Sequence, residues 1–331
     1  MPDHGGGVLR ASRLHGIPVE SWLDLSTGLN PHGWPVTAVP ERIWLRLPEA
    51  ADGLEDAAAN YYGSSSLLPV AGSQQAIQVL PLLRGPSSVG VLDITYAEHP
   101  HAWARRGHKV ARLEPNELNA AADTMDVLVV CNPNNPTGLM LSPECLEDWR
   151  KRLTARGGWL VVDETFMDVT PEYSMIPHVG KSGLVVLRSL GKFFGLAGAR
   201  VGFVLTFPEL LDRLQEELGP WTVNGPGRHI AKAALADLNW QKAARRRLIA
   251  ESGRLADLLT SLDLAPTGGT MLFQWMARSC ATSLYEFLAC RGVLVRYFPE
   301  PKSIRFGLPK SSADWIKLSA ALQDFVERNK S

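Results

Sequence analysis

Five short runs of this chain are apolar at nearly every position: Val89-Gly90-Val91-Leu92, Val127-Leu128-Val129-Val130-Cys131, Leu160-Val161-Val162, Leu184-Val185-Val186-Leu187 and Val201-Gly202-Phe203-Val204-Leu205. A strand with one wet face alternates apolar and polar side chains, whereas a strand covered on both faces does not. Segments of helical character lie between and around the runs, at 76–84, 100–106, 143–155 and 208–218, with a further strand at 109–113. Strands and helices alternating in this way build a mostly parallel central sheet flanked by helices, an α/β fold. Ligands of such sheets collect at the carboxyl ends of the strands. Chemistry is therefore expected in the turns after Ile94, Cys131, Asp163 and Arg188.

Beyond these runs the pattern changes. Residues 230–262 have helical periodicity without proline and are expected to form one long helix, kinked at Gly253. Strands at 271–275, 294–297 and 304–306 and helices at 284–290 and 313–328 then indicate a small α+β domain. Three parts are expected: an N-terminal segment, 1–35, joining the small domain; a large domain, 36–228; and the small C-terminal domain, 229–331.

A chain of 331 residues is long enough for a large core. Lys+Arg and Asp+Glu number 34 each, so no net field draws nucleic acid or an anionic membrane, and anions must be held by local arginines. Cys131, Cys145, Cys280 and Cys290 have no C-x-x-C spacing, so no disulfide framework and no metal site is indicated; reduced, cytoplasmic thiols fit. No apolar run reaches about 18 residues, and Met1-Pro2-Asp3-His4-Gly5-Gly6-Gly7 lacks the basic and apolar parts of a signal peptide, so neither spanning nor secretion is expected.

The segment Ser189-Leu190-Gly191-Lys192-Phe193-Phe194-Gly195-Leu196-Ala197-Gly198-Ala199-Arg200-Val201-Gly202 places one lysine in a glycine-rich, largely uncharged run between two strands. A desolvated lysine deprotonates more readily and serves as an amine nucleophile. Ser189 and Arg200 beside it suit an oxyanion, the arginine with its bidentate fork. Asn132-Pro133-Asn134-Asn135-Pro136-Thr137-Gly138 runs from a strand into a rigid turn that aims an amide at a ligand. Asp163 ends a buried strand on a carboxylate. Gly72-Ser73-Gln74 opens a helix whose first N–H groups suit a phosphate. Arg296 and Arg305 each end or interrupt an apolar strand, which is costly unless the guanidinium meets an anion.

The string S-x-x-K-x-x-G-L-A-G-x-R-x-G resembles the lysine segment of fold-type I pyridoxal-phosphate enzymes, and Asn132 to Gly138 resembles that class II aminotransferase family's N-P-x-N-P-T-G. The resemblance implies the family's fold, a large domain with a mostly parallel central sheet plus a small α+β domain, and pyridoxal 5'-phosphate as cofactor. By it, Lys192 holds the cofactor covalently, Asp163 pairs with the pyridinium nitrogen, and Asn135 hydrogen-bonds the phenolic oxygen. Ser73, Gln74, Ser189 and Arg200 hold the phosphate. His99 falls where relatives carry a stacking aromatic, so it is expected to stack on the ring and to be able to move a proton. Lys192, Asp163 and His99 form the expected catalytic set, and Arg305 matches the arginine for the substrate carboxylate.

Many relatives read D-E-A-Y where this chain has Asp163-Glu164-Thr165-Phe166, so a tyrosine hydroxyl is missing here. His4-Gly5 and the segment Leu23-Asp24-Leu25-Ser26-Thr27-Gly28-Leu29-Asn30-Pro31 resemble the threonine-phosphate decarboxylases of cobalamin synthesis. That resemblance implies His4, Gly5, Asn30, Asn135, Arg296 and Arg305 on a phosphorylated amino acid, decarboxylation of O-phospho-L-threonine, and a homodimer. A histidinol-phosphate aminotransferase is the alternative; Phe166, His99, and Leu47 where relatives have R-Y-P, count against it. A catalytically silent binding protein on the same fold is a third, disfavoured because Lys192, Asp163, Asn135 and Arg200 are all present.

Overall fold

The apolar runs lie side by side in one seven-stranded sheet of the computed structural model, which describes residues 4–329. Asp3 of the N-terminal motif lies outside the described residues. Across the sheet the order is Leu67–Val70, Gly202–Thr206, Leu184–Ser189, Trp159–Asp163, Val127–Cys131, Ser88–Leu92 and Lys109–Leu113. All neighbours are parallel except Gly202–Thr206, which is antiparallel to both of its own. Val129, Val161 and Val185 are in register across three strands, and they join one core with Ala76, Ile77, Ala102 and Trp103 from the helices. β-branched side chains fill such a doubly covered sheet well.

The helices that cover it carry local start signals. Ser142 caps helix Pro143–Thr154 by accepting from the Cys145 N–H at 3.3 Å, with proline in the first turn. That helix buries Leu146, Trp149 and Leu153, three and four residues apart, and ends on Lys151 and Arg152, which suit the negative end of its dipole. Helices Ser73–Val79 and Glu98–Arg105 each begin just beyond the carboxyl end of a strand.

Two compact units emerge: residues 33–135 with 139–241, containing this sheet, and residues 4–32 with 136–138 and 242–329. The single long helix expected over 230–262 is instead two, Gly225–Ala236 and Leu238–Ser261. The break falls at Asp237, not at Gly253. Asp237 has non-helical backbone angles, and its carboxylate accepts from the Trp240 N–H at 3.0 Å and from the Trp34 indole at 3.1 Å. Helix Gly225–Ala236 packs on Leu54–Tyr62, a helix the periodicity did not reveal. Between them the buried Arg228 guanidinium grips Asp52 at 2.7 and 2.8 Å and Glu55 at 2.6 Å. The larger unit therefore runs to Gln241 rather than to residue 228.

The smaller unit holds a four-stranded antiparallel sheet in the order Arg296–Phe298, Ser303–Gly307, Phe273–Ala277, Gly268–Thr270, with helices Ala281–Ala289 and Ser312–Arg328. The N-terminal segment joins it through Leu23–Asp24, paired in parallel with Val293–Leu294. Among the described residues no helix is long and apolar enough to cross a membrane.

Arg228→Ala removes the buried partner of two carboxylates while leaving the sheet intact. It is expected to lower the unfolding free energy by about 1–3 kcal/mol, measured by urea denaturation. An unchanged midpoint would show that the second helix is held by apolar packing alone.

Candidate active site

A buried carboxylate is the first thing the larger unit has to accommodate. Asp163 closes its strand in the middle of the sheet and is 5% exposed. One oxygen accepts from the Thr165 N–H at 3.0 Å and its hydroxyl at 2.5 Å; the other meets His99 Nε2 at 2.9 Å. Burial pushes the carboxyl pKa up, but His99 and Thr165 outweigh it and leave it below its ordinary value. Burial likewise pushes His99 down, and the hydrogen bond to Asp163, followed by the Cys131 thiol, raises it to about 10. The pair is an ion pair at neutral pH. Cys131 was not singled out from the sequence, yet its sulfur lies within 4.8 Å of the His99 and Asp163 donor atoms.

This places the expected stacking residue, His99, beside the carboxylate expected to pair with the ring nitrogen. The ring is 2% exposed, and its Nε2 meets Asp163 at 2.9 Å. Tyr96, three residues earlier, is half-buried and stands edge-on to His99, with its hydroxyl 3.4 Å from the Gln74 side chain. The Gln74 amide donates to the buried Glu98 at 2.6 Å. Its backbone N–H remains the part suited to a phosphate.

Around the start of helix Ser73–Val79, glycines let groups approach closely. Gly72 has φ +71°, and a Cβ there would lie 2.6 Å from Arg200 Nη2. A Cβ at Gly202 would lie 2.6 Å from the Ser73 nitrogen, so only glycine lets the strand abut the helix start. Arg200 itself takes the left-handed conformation, φ 54°, beyond the turn Ala197–Ala199. The result brings an arginine fork over a helix N-terminus, with Ser189 at the end of the neighbouring strand.

Lys192 is half-buried, its Nζ 5.3 Å from the centre of the Phe166 ring. The two residues after it, Phe193 and Phe194, are fully buried and anchor the loop against Trp240. In the asparagine turn, Asn132 exchanges hydrogen bonds with the Leu141 backbone, and Asn134 donates to the Ile94 carbonyl. Asn135 is the half-buried amide next to these two anchors.

The remaining predicted residues belong to the smaller unit. Arg296 and Arg305 are direct cross-strand partners, an arrangement that is repulsive for like charges. Arg305 is 5% exposed, donates to the Ser26 carbonyl at 2.8 Å and lies over the Phe273 ring. Gly5 abuts the same Ser26 backbone, where a Cβ would collide with the carbonyl, and the Gly6 N–H donates to Ser26 Oγ at 2.7 Å. Asn30 is buried and accepts from the His32 N–H. His4, Gly5, Ser26 and Arg296 line one cleft.

The family model described as aminotransferase class I and II matches residues 47–322. The chain belongs to that family. It is 51% identical over 327 residues, 99% of both chains, to the threonine-phosphate decarboxylase of Pseudomonas aeruginosa. To the threonine-phosphate decarboxylase of a Sinorhizobium species it is 39% identical, over 96% of this chain and 97% of the other. Among solved structures, the histidinol-phosphate aminotransferase of Sinorhizobium meliloti, in complex with pyridoxal-5'-phosphate, superposes with a TM-score of 0.86 at 19% identity, covering 99% and 96% of the chains. The L-threonine-O-3-phosphate decarboxylase of Porphyromonas gingivalis gives 0.75 at 21% identity, covering 92% and 99%. These likenesses establish the pyridoxal-phosphate aminotransferase fold.

The His99–Asp163 pair sets a pH dependence. A histidine raised above its unfolded value contributes stability fully below about pH 6.5 and loses it as pH climbs through about 10. In cofactor-free protein, the stability margin of wild type over His99→Asn should therefore shrink across that window, as read by urea unfolding at several pH values. A constant margin would show that His99 is not the charged partner.

Proposed function

We propose that the chain is a pyridoxal 5'-phosphate-dependent carboxy-lyase that converts O-phospho-L-threonine to 1-amino-2-propanol phosphate and carbon dioxide, a step of cobalamin synthesis. The observation that carries this reading is the 51% identity along 99% of both chains to a threonine-phosphate decarboxylase. The residues present fit the cofactor. Gly72 and Gly202 clear a cradle that a Cβ would fill, Arg200 covers it, and Asp163 offers an ionised carboxylate.

When bound, the cofactor supplies an electron sink for the pair released as a bond at the substrate α-carbon breaks. Asp163, kept ionised by His99 and Thr165, holds a proton on the ring nitrogen. Ser73 and Gln74 through backbone N–H groups, with Ser189 and Arg200, hold the phosphate. Asn135 donates to the phenolic oxygen and contacts substrate, while Phe166 offers no hydroxyl there. His99 stacks on the ring, with Tyr96 edge-on beside it. Arg305 orients the substrate carboxylate so that the bond to it, rather than the Cα–H bond, is the one that breaks. Arg296, His4, Gly5 and Asn30 hold the substrate phosphate. Lys192 holds the cofactor covalently and afterwards protonates the substrate α-carbon. His99 is unsuited to that task, since its proton is tied to Asp163.

The enzyme acts as a homodimer in this reading. Trp44, Leu45 and Leu47 are 66%, 76% and 65% exposed, at and after helix Glu41–Leu45 in the larger unit, and Trp221 is 58% exposed. Large apolar side chains left this open call for a covering partner. A cytoplasmic location belongs to the same proposal, on the sequence argument from four free cysteines.

Holoenzyme given O-phospho-L-threonine should release carbon dioxide without any added keto acid. Lys192→Ala should lose both turnover and the visible absorbance of the lysine-bound cofactor, and Asp163→Asn should keep cofactor but lose most turnover. Amino transfer from histidinol phosphate to 2-oxoglutarate, without carbon dioxide release, would favour the aminotransferase alternative. Sedimentation should give a dimer; a fully active monomer would remove that part of the proposal.

A further inference from the structure

The cleft in the smaller unit carries more positive groups than the substrate assignment uses. It encloses about 170 Å³ between helix Val8–His15, helix Ala281–Ala289 and the strands that contain Leu294 and Arg296. A pocket for a whole small molecule is about 300 Å³ or more, so this one suits one end of a ligand, a headgroup. Its charged or protonatable lining side chains are His4, Arg10, His15 and Arg296, and among the described residues no carboxylate lines it. Like charges gathered in a concave surface repel unless an anion sits among them.

Arg10 stands out on helix Val8–His15. Its neighbour Arg13 is engaged with the helix itself, its Nε donating to the Leu9 carbonyl at 3.2 Å. Arg10 makes no ion pair and no side-chain hydrogen bond among the described residues, and it lines the cleft while Arg13 does not. It reaches the cleft from a helix, Arg296 from a strand. A phosphate monoester carries nearly two negative charges at neutral pH and three terminal oxygens. One guanidinium fork covers two oxygens and balances one charge, so a second arginine from a different element completes the coordination.

We propose that Arg10 is a second phosphate ligand, paired with Arg296 across this cleft, and that it sets the preference for a phosphate monoester over an unphosphorylated amino acid. The proposal rests on reading the cleft as the substrate's phosphate end.

The test compares holoenzyme carrying Arg10→Gln, Arg10→Lys or, as a control on the same helix, Arg13→Gln. For O-phospho-L-threonine, Arg10→Gln should lower kcat/KM about tenfold or more, mainly through KM, the loss of one charged hydrogen bond. The inhibition constant of inorganic phosphate should rise in parallel, and that of L-threonine should stay unchanged. Arg10→Lys should recover part of the loss, and Arg13→Gln should match wild type. Equal weakening of phosphate and L-threonine, or no change from wild type, overturns the role of Arg10. Calorimetric titration of inorganic phosphate into wild-type and Arg10→Gln holoenzyme reads the same ligand without turnover. A wild type that binds phosphate through Arg10 but releases no carbon dioxide from O-phospho-L-threonine would leave the anion site standing and remove the substrate assignment.

Discussion

An ionised carboxylate inside a protein is stable only if its partners replace the water it has lost. Asp163 has three donors, and much of the larger unit's active face is arranged to supply them. Two come from Thr165, because the chain turns sharply after the strand and brings the N–H and hydroxyl back onto the same oxygen. The third, His99, needs helix Glu98–Arg105 at a fixed height. That helix is tied in turn to Ser73–Val79, where Gln74 and Gln78 both donate to the buried Glu98. One charge thus couples the strand end, two helix starts and the turn at Gly72. A second buried ionic group, Arg188 with Glu164 at 2.9 Å and Asp168 at 2.6 Å, lies near the end of strand Leu184–Ser189.

Close approach is the other constraint. The strand abuts the helix start only because Gly202 lacks a side chain against the Ser73 nitrogen, while Gly72, at φ +71°, lies under Arg200. Strand Gly202–Thr206 runs antiparallel to both neighbours, which brings its first residue beside the end of strand Leu184–Ser189 and beside the helix start. The Ser189-to-Gly202 segment therefore returns to its point of departure. Its serine, lysine and arginine come from one short stretch of chain, held by buried Phe193 and Phe194 in the middle.

The strands were legible because a doubly covered strand leaves a continuous apolar run, and five such runs occupy the sheet. Strand-end chemistry was legible for a related reason: a lone Asp163 or Arg305 in apolar surroundings needs a partner. Features set by tertiary contact were not. At Asp237 a local signal was present but passed over, an Asp whose carboxylate caps the Trp240 N–H, while the Trp34 indole on the same carboxylate could not be read from sequence. Gly253 looked like the weak point, yet a glycine inside a helix only lowers its propensity. The hydrogen bond from His99 to Asp163 was equally hidden, since a strand-following histidine gives no sign of its partner. Arg10 gave no signal either, because an arginine on a short amphipathic helix is ordinarily a solvated one.

Net neutrality sharpens the meaning of the arginines that are out of place. With Lys+Arg equal to Asp+Glu, the chain has no general attraction for anions, and each binding step has to be built locally. The smaller unit places two arginines directly across neighbouring strands. Arg305 is buried, fixed to the Ser26 carbonyl and laid over Phe273, so its position is set before any ligand arrives. Arg296 opposite it is half-buried and faces a cleft. A rigid cation suits the group whose direction decides which bond breaks, because small errors of orientation there cost the most. A phosphate is nearly symmetric about its ester bond and tolerates approach from several directions, so its cation need not be fixed so closely. In the proposed reading, the pre-set Arg305 therefore takes the carboxylate and Arg296 the phosphate.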